Sequence, residues 1–298
     1  MINNSKKAIP TILYNQNNAK LINSRINFIT GCARSGTTII GNIIASFNGS
    51  DYFFEPDSFR SIIFLKKKIN KHLWKLTFET YLYHDLIKSS LRARRMSMNK
   101  NDDSYFFKVK KKSDLNIKLK SNFDLHEKII KKLPKFFIKE PCMISEILDL
   151  KKKYPSFKII LVDRDPIEIV ASLSKKKWFS NKIERYYPLI KHKSSYFPFW
   201  LHKNYYVEWK NLNIYERSAL YTIKMRKIIS KEKNVIKLNY NSLLEDPKKF
   251  VFRLSKKLNL KPTKKTYKLI KSLYKNRNDL GYVKKSIRKS ILSKLLKN

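Results

Sequence analysis

A glycine loop between a strand and a helix constrains this chain more than any other feature. Gly31-Cys32-Ala33-Arg34-Ser35-Gly36-Thr37-Thr38 follows Ile26-Asn27-Phe28-Ile29-Thr30, a β-branched and aromatic run that reads as a buried strand. It precedes Ile39 to Phe47, which has the length and apolar spacing of a helix. That order aims backbone N–H groups and a helix N-terminus at an anion. Glycine suits the loop because Cβ atoms would keep the backbone from closing around phosphate oxygens. The plain alternative is a structural turn, since short glycine motifs recur by accident.

The loop nearly fits the Walker A pattern, but Thr37 stands where the nucleotide-phosphate lysine belongs, and the positive charge sits at Arg34. A second anion element is Arg164-Asp165-Pro166-Ile167-Glu168-Ile169-Val170-Ala171-Ser172, which follows the apolar run Lys158-Ile159-Ile160-Leu161-Val162-Asp163. That run is a buried strand of the parallel-sheet type. Asp165 is an N-cap and Pro166 a first helical residue, so a helix is predicted from Pro166 to about Lys177. Ser172 lies two turns in and returns to the side of Arg164, whose guanidinium offers a charge-assisted fork to phosphate.

Strands are also predicted at Tyr52-Phe53-Phe54-Glu55, Phe136-Phe137-Ile138-Lys139 and Asn234 to Tyr240, with helices over 145–153 and 214–231 and one starting at Asp246-Pro247. The alternation predicts an α/β fold: a P-loop-type parallel sheet of about four to five strands flanked by helices. Residues 57–132 read as a helical insertion or cap within a single domain spanning 25–282, behind a loose arm at 1–24. Residues 178–212 are aromatic and irregular, more a core than an acceptor wall. Val283, Ile287, Ile291 and Leu295 recur along 283–298, a basic amphipathic C-terminal helix able to lie on anionic membrane or dock on the domain.

These motifs resemble those of the sulfotransferases that use 3′-phosphoadenosine-5′-phosphosulfate (PAPS). Arg34-Ser35-Gly36-Thr37-Thr38 is similar to that family's 5′-phosphosulfate loop. Arg164 with Ser172 is similar to its 3′-phosphate element. Leu238-Asn239-Tyr240 through Asp246-Pro247 is similar to its strand-tyrosine element. The resemblance implies donor contacts from Arg34, Ser35, Gly36, Thr37, Thr38, Arg164, Ser172 and Tyr240, with 3′,5′-ADP (PAP) as product and no metal. It implies that Arg34 and Lys139 neutralise the leaving oxygen. The aryl branch uses a histidine two residues after the lysine; here that residue is Pro141. The tyrosylprotein branch and several carbohydrate branches are closer, and the glutamate base of the former corresponds to Glu55, 21 residues after Arg34. Glu140 is the reserve. The acceptor expected is a hydroxyl, on a glycan or lipid-linked sugar before a peptide tyrosine or a small metabolite.

Composition separates the competing classes. A P-loop NTPase or small kinase using ATP and Mg²⁺ fits the strand at 158–163 but not the missing loop lysine. A non-catalytic polyanion-binding module fits the net charge of +43. However, the lysines are spread along the chain among many Asn and Ile residues, as A+T-rich coding produces, so specific nucleic-acid binding is not expected. Two cysteines make no disulfide framework, and His72, His84, His126, His192 and His202 show no ligand spacing. With no apolar run of about 18 residues and no signal-like N-terminus, a cytoplasmic, at most membrane-peripheral, protein is expected.

Overall fold

The computed structural model describes residues 16–94, 96–120, 133–180, 189–273 and 280–297. Five strands form one sheet: β1 (Ile26–Gly31), β2 (Ser50–Phe54), β3 (Lys135–Lys139), β4 (Lys158–Asp163) and β7 (Ile236–Asn239). Their order is β2-β3-β1-β4-β7, and every neighbouring pair is parallel. All five predicted strands are present.

Alternation along each strand splits the core in two. Phe28, Phe136, Ile138, Ile159 and Leu161 face one apolar cluster, shared with the helices Ile144–Lys153, Pro166–Lys175 and Ile214–Lys231. Ile29, Phe137, Ile160, Val162 and Leu238 face the other, shared with the helices Thr37–Ala45 and Pro247–Leu258. Burial on both faces explains why β1 and β4 read as continuous apolar runs, with each such side chain contributing roughly 1.5–3 kcal/mol. The helices start where their caps predict. Asp165 accepts from Ile167 N and Glu168 N, and Asn213 accepts from Tyr215 N and Glu216 N.

Four expectations change. The loose arm expected at 1–24 is a helix over Gln16–Asn23, with Ile22 buried; residues 1–15 lie outside the described residues. The irregular 178–212 stretch contains an antiparallel hairpin, β5 (Leu189–His192) with β6 (Ser195–Pro198). Phe179, Phe197, Trp200, Tyr206 and Trp209 there are buried, while Tyr186 and Tyr187 lie outside the described residues. Tyr240 ends its strand and opens a short helix, Tyr240–Glu245, because Asn239 caps it by accepting from Asn241 N.

The single tail helix at 283–298 is two, Leu280–Lys285 and Lys289–Lys297. Its stripe of Val283, Ile287, Ile291 and Leu295 is buried against the helices Pro166–Lys175 and Ile214–Lys231. Arg288 Nε pairs with Glu216 Oε1 at 2.5 Å. The apolar face that membrane contact would need is therefore spent on the domain. No helix among the described residues is long and apolar enough to cross a membrane.

The insertion predicted at 57–132 is mainly helical where described, from Asp57–Leu65 to Lys112–Leu119, with a π-helix at Tyr81–Lys88 and a stretch of turns between Leu91 and Phe106; residues 121–132 and His126 lie outside the described residues. It is pinned to the sheet at the N-terminal end of β2. There Lys118 Nζ meets Asp51 Oδ2 at 2.6 Å and Ser90 Oγ donates to the same oxygen at 2.7 Å. Lys118 holds the Asp51 carboxyl below its ordinary range, against the opposing effect of burial.

Candidate active site

The loop after β1 takes the shape its glycines allow. Gly36 sits at φ +97° and caps the helix Thr37–Ala45 with no side-chain bond. A Cβ there would lie 2.2 Å from Tyr240 Cδ2, so the Tyr240 ring covers the loop directly. Arg34 also adopts a left-handed backbone, φ +71°, which carries a cost for a residue with a Cβ. The Ser35 hydroxyl is buried and has no hydrogen-bond partner among the described residues. A buried polar group without a partner costs about 1–3 kcal/mol, which an oxyanion acceptor would relieve. Tyr221, from the helix Ile214–Lys231, fixes the loop from behind: its hydroxyl accepts from Ala33 N at 2.9 Å.

The second anion element comes to the same place. Arg34 Nε donates to Ser172 Oγ at 3.0 Å, and Arg164 Nη1 donates to Arg34 O at 3.3 Å. Arg164 lies over the Tyr240 ring at 4.8 Å. A cavity of about 470 Å³ opens between them, lined by Arg34, Arg164, Ser172, Lys175, Tyr240 and Leu244 among others. Burial, and after it the positive charge of Arg164, pushes the Arg34 guanidinium down from its ordinary pKa. Two cations that disfavour each other across a cavity favour an anion between them. Arg164 pairs with Glu168 Oε2 at 2.7 Å rather than with Asp163 or Asp165; Asp163 instead meets Arg226 Nη2 at 3.4 Å.

A second cluster lies at the C-terminal ends of β2 and β3, where open parallel sheets place their ligands. The Lys139 ammonium is only 2 % exposed, lies 4.2 Å over the Phe54 ring and is ion-paired with Glu55 Oε1. Glu55 Oε2 accepts from Arg60 Nη2 at 2.8 Å. Arg60 Nε donates to Glu140 Oε2, also at 2.8 Å, and Glu140 is fully buried. Burial pushes the Glu140 carboxyl up from its ordinary pKa, with Arg60 opposing. Glu55 sits at φ +38°, a strained position that only surrounding bonds maintain. Burial, followed by the negative charge of Glu55, pushes the Tyr52 phenol well up.

All the residues singled out from the sequence thus fall at one end of the sheet. Arg34, Gly36, Arg164, Ser172 and Tyr240 are in direct contact, and Lys139, Glu55 and Glu140 form the neighbouring cluster. Arg60, Tyr221 and Lys175 were not legible. Arg60 carries one faint signal, its place one turn into the helix that Pro56 opens after Glu55. Tyr221 and Lys175 carry none, being an apolar-face position and one lysine among many. Among the described residues no group of His, Cys, Asp and Glu is arranged to hold a metal ion, and Cys32 and Cys142 are free and buried.

A family model described as the sulfotransferase family matches residues 27–264. The chain is similar to the sulfotransferase domain of the Synechococcus PCC 7002 olefin synthase, with 15% identity over 85% of this chain and 78% of that chain, at a TM-score of 0.44. It is similar to the sulfotransferase domain from the curacin biosynthetic pathway, with 12% identity over 85% and 78%, at 0.43. It is also similar to a sulfotransferase from Mycobacterium tuberculosis, with 12% identity over 91% and 78%, at 0.40. No curated protein sequence matches the chain.

Proposed function

The chain belongs to the sulfotransferase family, and from that premise we propose that it moves the sulfuryl group of PAPS to a hydroxyl of a carbohydrate or glycolipid acceptor, with Glu55 as general base. The observation that carries the donor assignment is the meeting of the two anion elements: Arg34 bonded to Ser172, and Arg164 bonded to the backbone of Arg34, beside Gly36.

The residues present fit such a donor. The N–H groups and hydroxyls of Ser35, Thr37 and Thr38 would hold the phosphosulfate, and Gly36 lets the backbone approach it. Arg164, Ser172 and the nearby Lys175 would hold the 3′-phosphate, with Tyr240 as a wall. When bound, the donor supplies an activated sulfuryl group. Arg34 and Lys139 stand ready to neutralise charge on the oxygen that leaves, and fixed dipoles of this kind supply most of the catalysis in loose transfers. Glu55 touches solvent at 27 % side-chain exposure and takes the acceptor's proton. In the balanced step, the bond from sulfur to the donor's bridging oxygen breaks and a bond from sulfur to the acceptor oxygen forms. The acceptor proton passes to Glu55, and PAP departs.

Two features favour a sugar acceptor. Pro141 stands where the aryl branch has its base. Phe64, one turn beyond Arg60 on the same helix face and 37% exposed, meets Phe199 edge-on at 5.2 Å, an aromatic surface of the kind that stacks on sugar rings.

Calorimetry tests the donor: PAP should bind without Mg²⁺, and ATP with Mg²⁺ should not compete. The opposite preference would replace the proposal with phosphoryl transfer. Arg164→Ala should weaken PAP by about 10- to 100-fold, the worth of a charge-assisted contact. It should weaken adenosine 5′-phosphosulfate, which lacks the 3′-phosphate, far less. Mass spectrometry of glycan, glycolipid and peptide pools incubated with ³⁵S-labelled PAPS identifies the acceptor; label found only on peptide tyrosine overturns the sugar assignment.

A further inference from the structure

Lys139 is asked to do two things at once. Its ammonium is ion-paired with Glu55. In the function proposed above its single charge is also drawn to the departing oxygen, which weakens its hold on the carboxylate as that oxygen leaves. Glu55 then needs a second holder, because its left-handed backbone at a strand end is not a conformation the residue keeps unaided.

Arg60 has no such conflict. Its Nη2 holds Glu55 Oε2 and its Nε holds Glu140 Oε2, each at 2.8 Å. Glu140 has no exposed surface, and its other oxygen accepts from Cys142 N at 3.2 Å. Removing the partner of a buried charge is strongly unfavourable, so Glu140 keeps Arg60 where it is. The planar fork, fixed at one donor, then fixes the direction of the other. Glu140 is thereby explained without a catalytic role: a carboxylate sealed from solvent cannot receive an acceptor's proton, but it can anchor an arginine.

We propose that Arg60, held by buried Glu140, is the positioning residue that orients Glu55 for proton removal while Lys139 is engaged elsewhere. This rests on Glu55 being the base, and the test separates the two claims. The assay is turnover of PAPS alone, with water as the hydroxyl acceptor: water's oxygen bonds to sulfur, its proton goes to Glu55, and PAP and sulfate are released. Arg60→Gln should lower kcat for this turnover by about 10- to 100-fold, the scale of a misplaced catalytic group, while leaving the PAP dissociation constant unchanged. Because Arg60 acts through Glu55, the same substitution in a Glu55→Gln background should cost almost nothing more.

Arg60→Gln strands the Glu140 charge, so the double variant Arg60→Gln with Glu140→Gln is the companion that keeps the interior neutral. It should melt close to the wild type and show the same loss of kcat. An equal loss from Arg60→Gln in the wild-type and the Glu55→Gln backgrounds, or a parallel loss of PAP affinity, overturns the positioning role and leaves Arg60 merely structural. Wild-type turnover in Glu55→Gln overturns the base assignment instead. Low turnover in Glu55→Gln with wild-type turnover in the Arg60 variants overturns Arg60 alone.

Discussion

Glu55→Gln is expected to lower sulfuryl transfer to the identified acceptor by about 10²- to 10⁴-fold, the range spanned by positioned general bases. PAP binding should remain close to that of the wild type. Glutamine keeps the shape of the side chain and an oxygen that can accept from Lys139 and Arg60, but it cannot take up a proton. The two measurements therefore separate chemistry from scaffolding. If the variant binds PAP as before and transfers at an undiminished rate, Glu55 is not the base. If both affinity and rate collapse, the pairing of Glu55 with Lys139 is holding the pocket together. Lys139→Met should be the contrasting case: its methylene body is kept while the ammonium that lies over Phe54 and pairs with Glu55 is lost, so the loss falls on the leaving-group charge and on the fixing of Glu55. Glu140→Gln should cost less than either, because the glutamine oxygen can still accept from Arg60.

How much of this was legible in the sequence depended on whether a feature is local. The strands were, because a sheet covered on both faces needs unbroken apolar runs such as Ile159-Ile160-Leu161-Val162. The helix starting at Pro166 was, because Asp165 and Pro166 are adjacent in sequence and cap it without help. The loop was legible because Gly31 and Gly36 both adopt positive φ. What escaped was set by distant partners. The helix at Gln16–Asn23 lies in a polar stretch where Asn15, Asn17, Asn18 and Asn23 read as loop. The tail breaks near Ser286, where Asn213 Nδ2 donates to Ser286 O from another helix. Lys139 was singled out through the resemblance, but its burial was not legible, since that comes from pairing with Glu55 across neighbouring strands. Arg60 could not be singled out, since its two carboxylates lie on β-strand ends far apart in the chain. The excess positive charge gave no direction either; only the fold gathers Arg34, Arg164 and Lys175 around one cavity.

Gly36→Ala is expected to weaken PAP by about 100-fold or more, equivalent to losing two charge-assisted contacts. The new Cβ meets the Tyr240 ring at 2.2 Å, closer than atoms approach, and φ +97° is a conformation alanine rarely adopts. Tyr240 cannot yield alone, because Arg164 lies 4.8 Å above its ring and also donates to Arg34 O. A displacement that begins at the loop is thus carried to the 3′-phosphate element. Gly49→Ala supplies the control. It imposes a similar backbone penalty at φ +75°, but its Cβ meets only Leu260, at 3.6 Å. Gly49→Ala should lose about 1–2 kcal/mol of stability, the cost of a side chain in left-handed backbone, and Gly36→Ala should lose that and the cost of displacing Tyr240 in addition, so its melting temperature should fall further. Only Gly36→Ala should lose the nucleotide. Adding Tyr240→Ala to Gly36→Ala frees the space and should not restore affinity, since it removes the wall that supports Arg164. Equal PAP affinity in the Gly36 and Gly49 variants would move the donor site away from this loop, because the loop and the Tyr240 ring cannot both keep their places with a Cβ 2.2 Å from that ring.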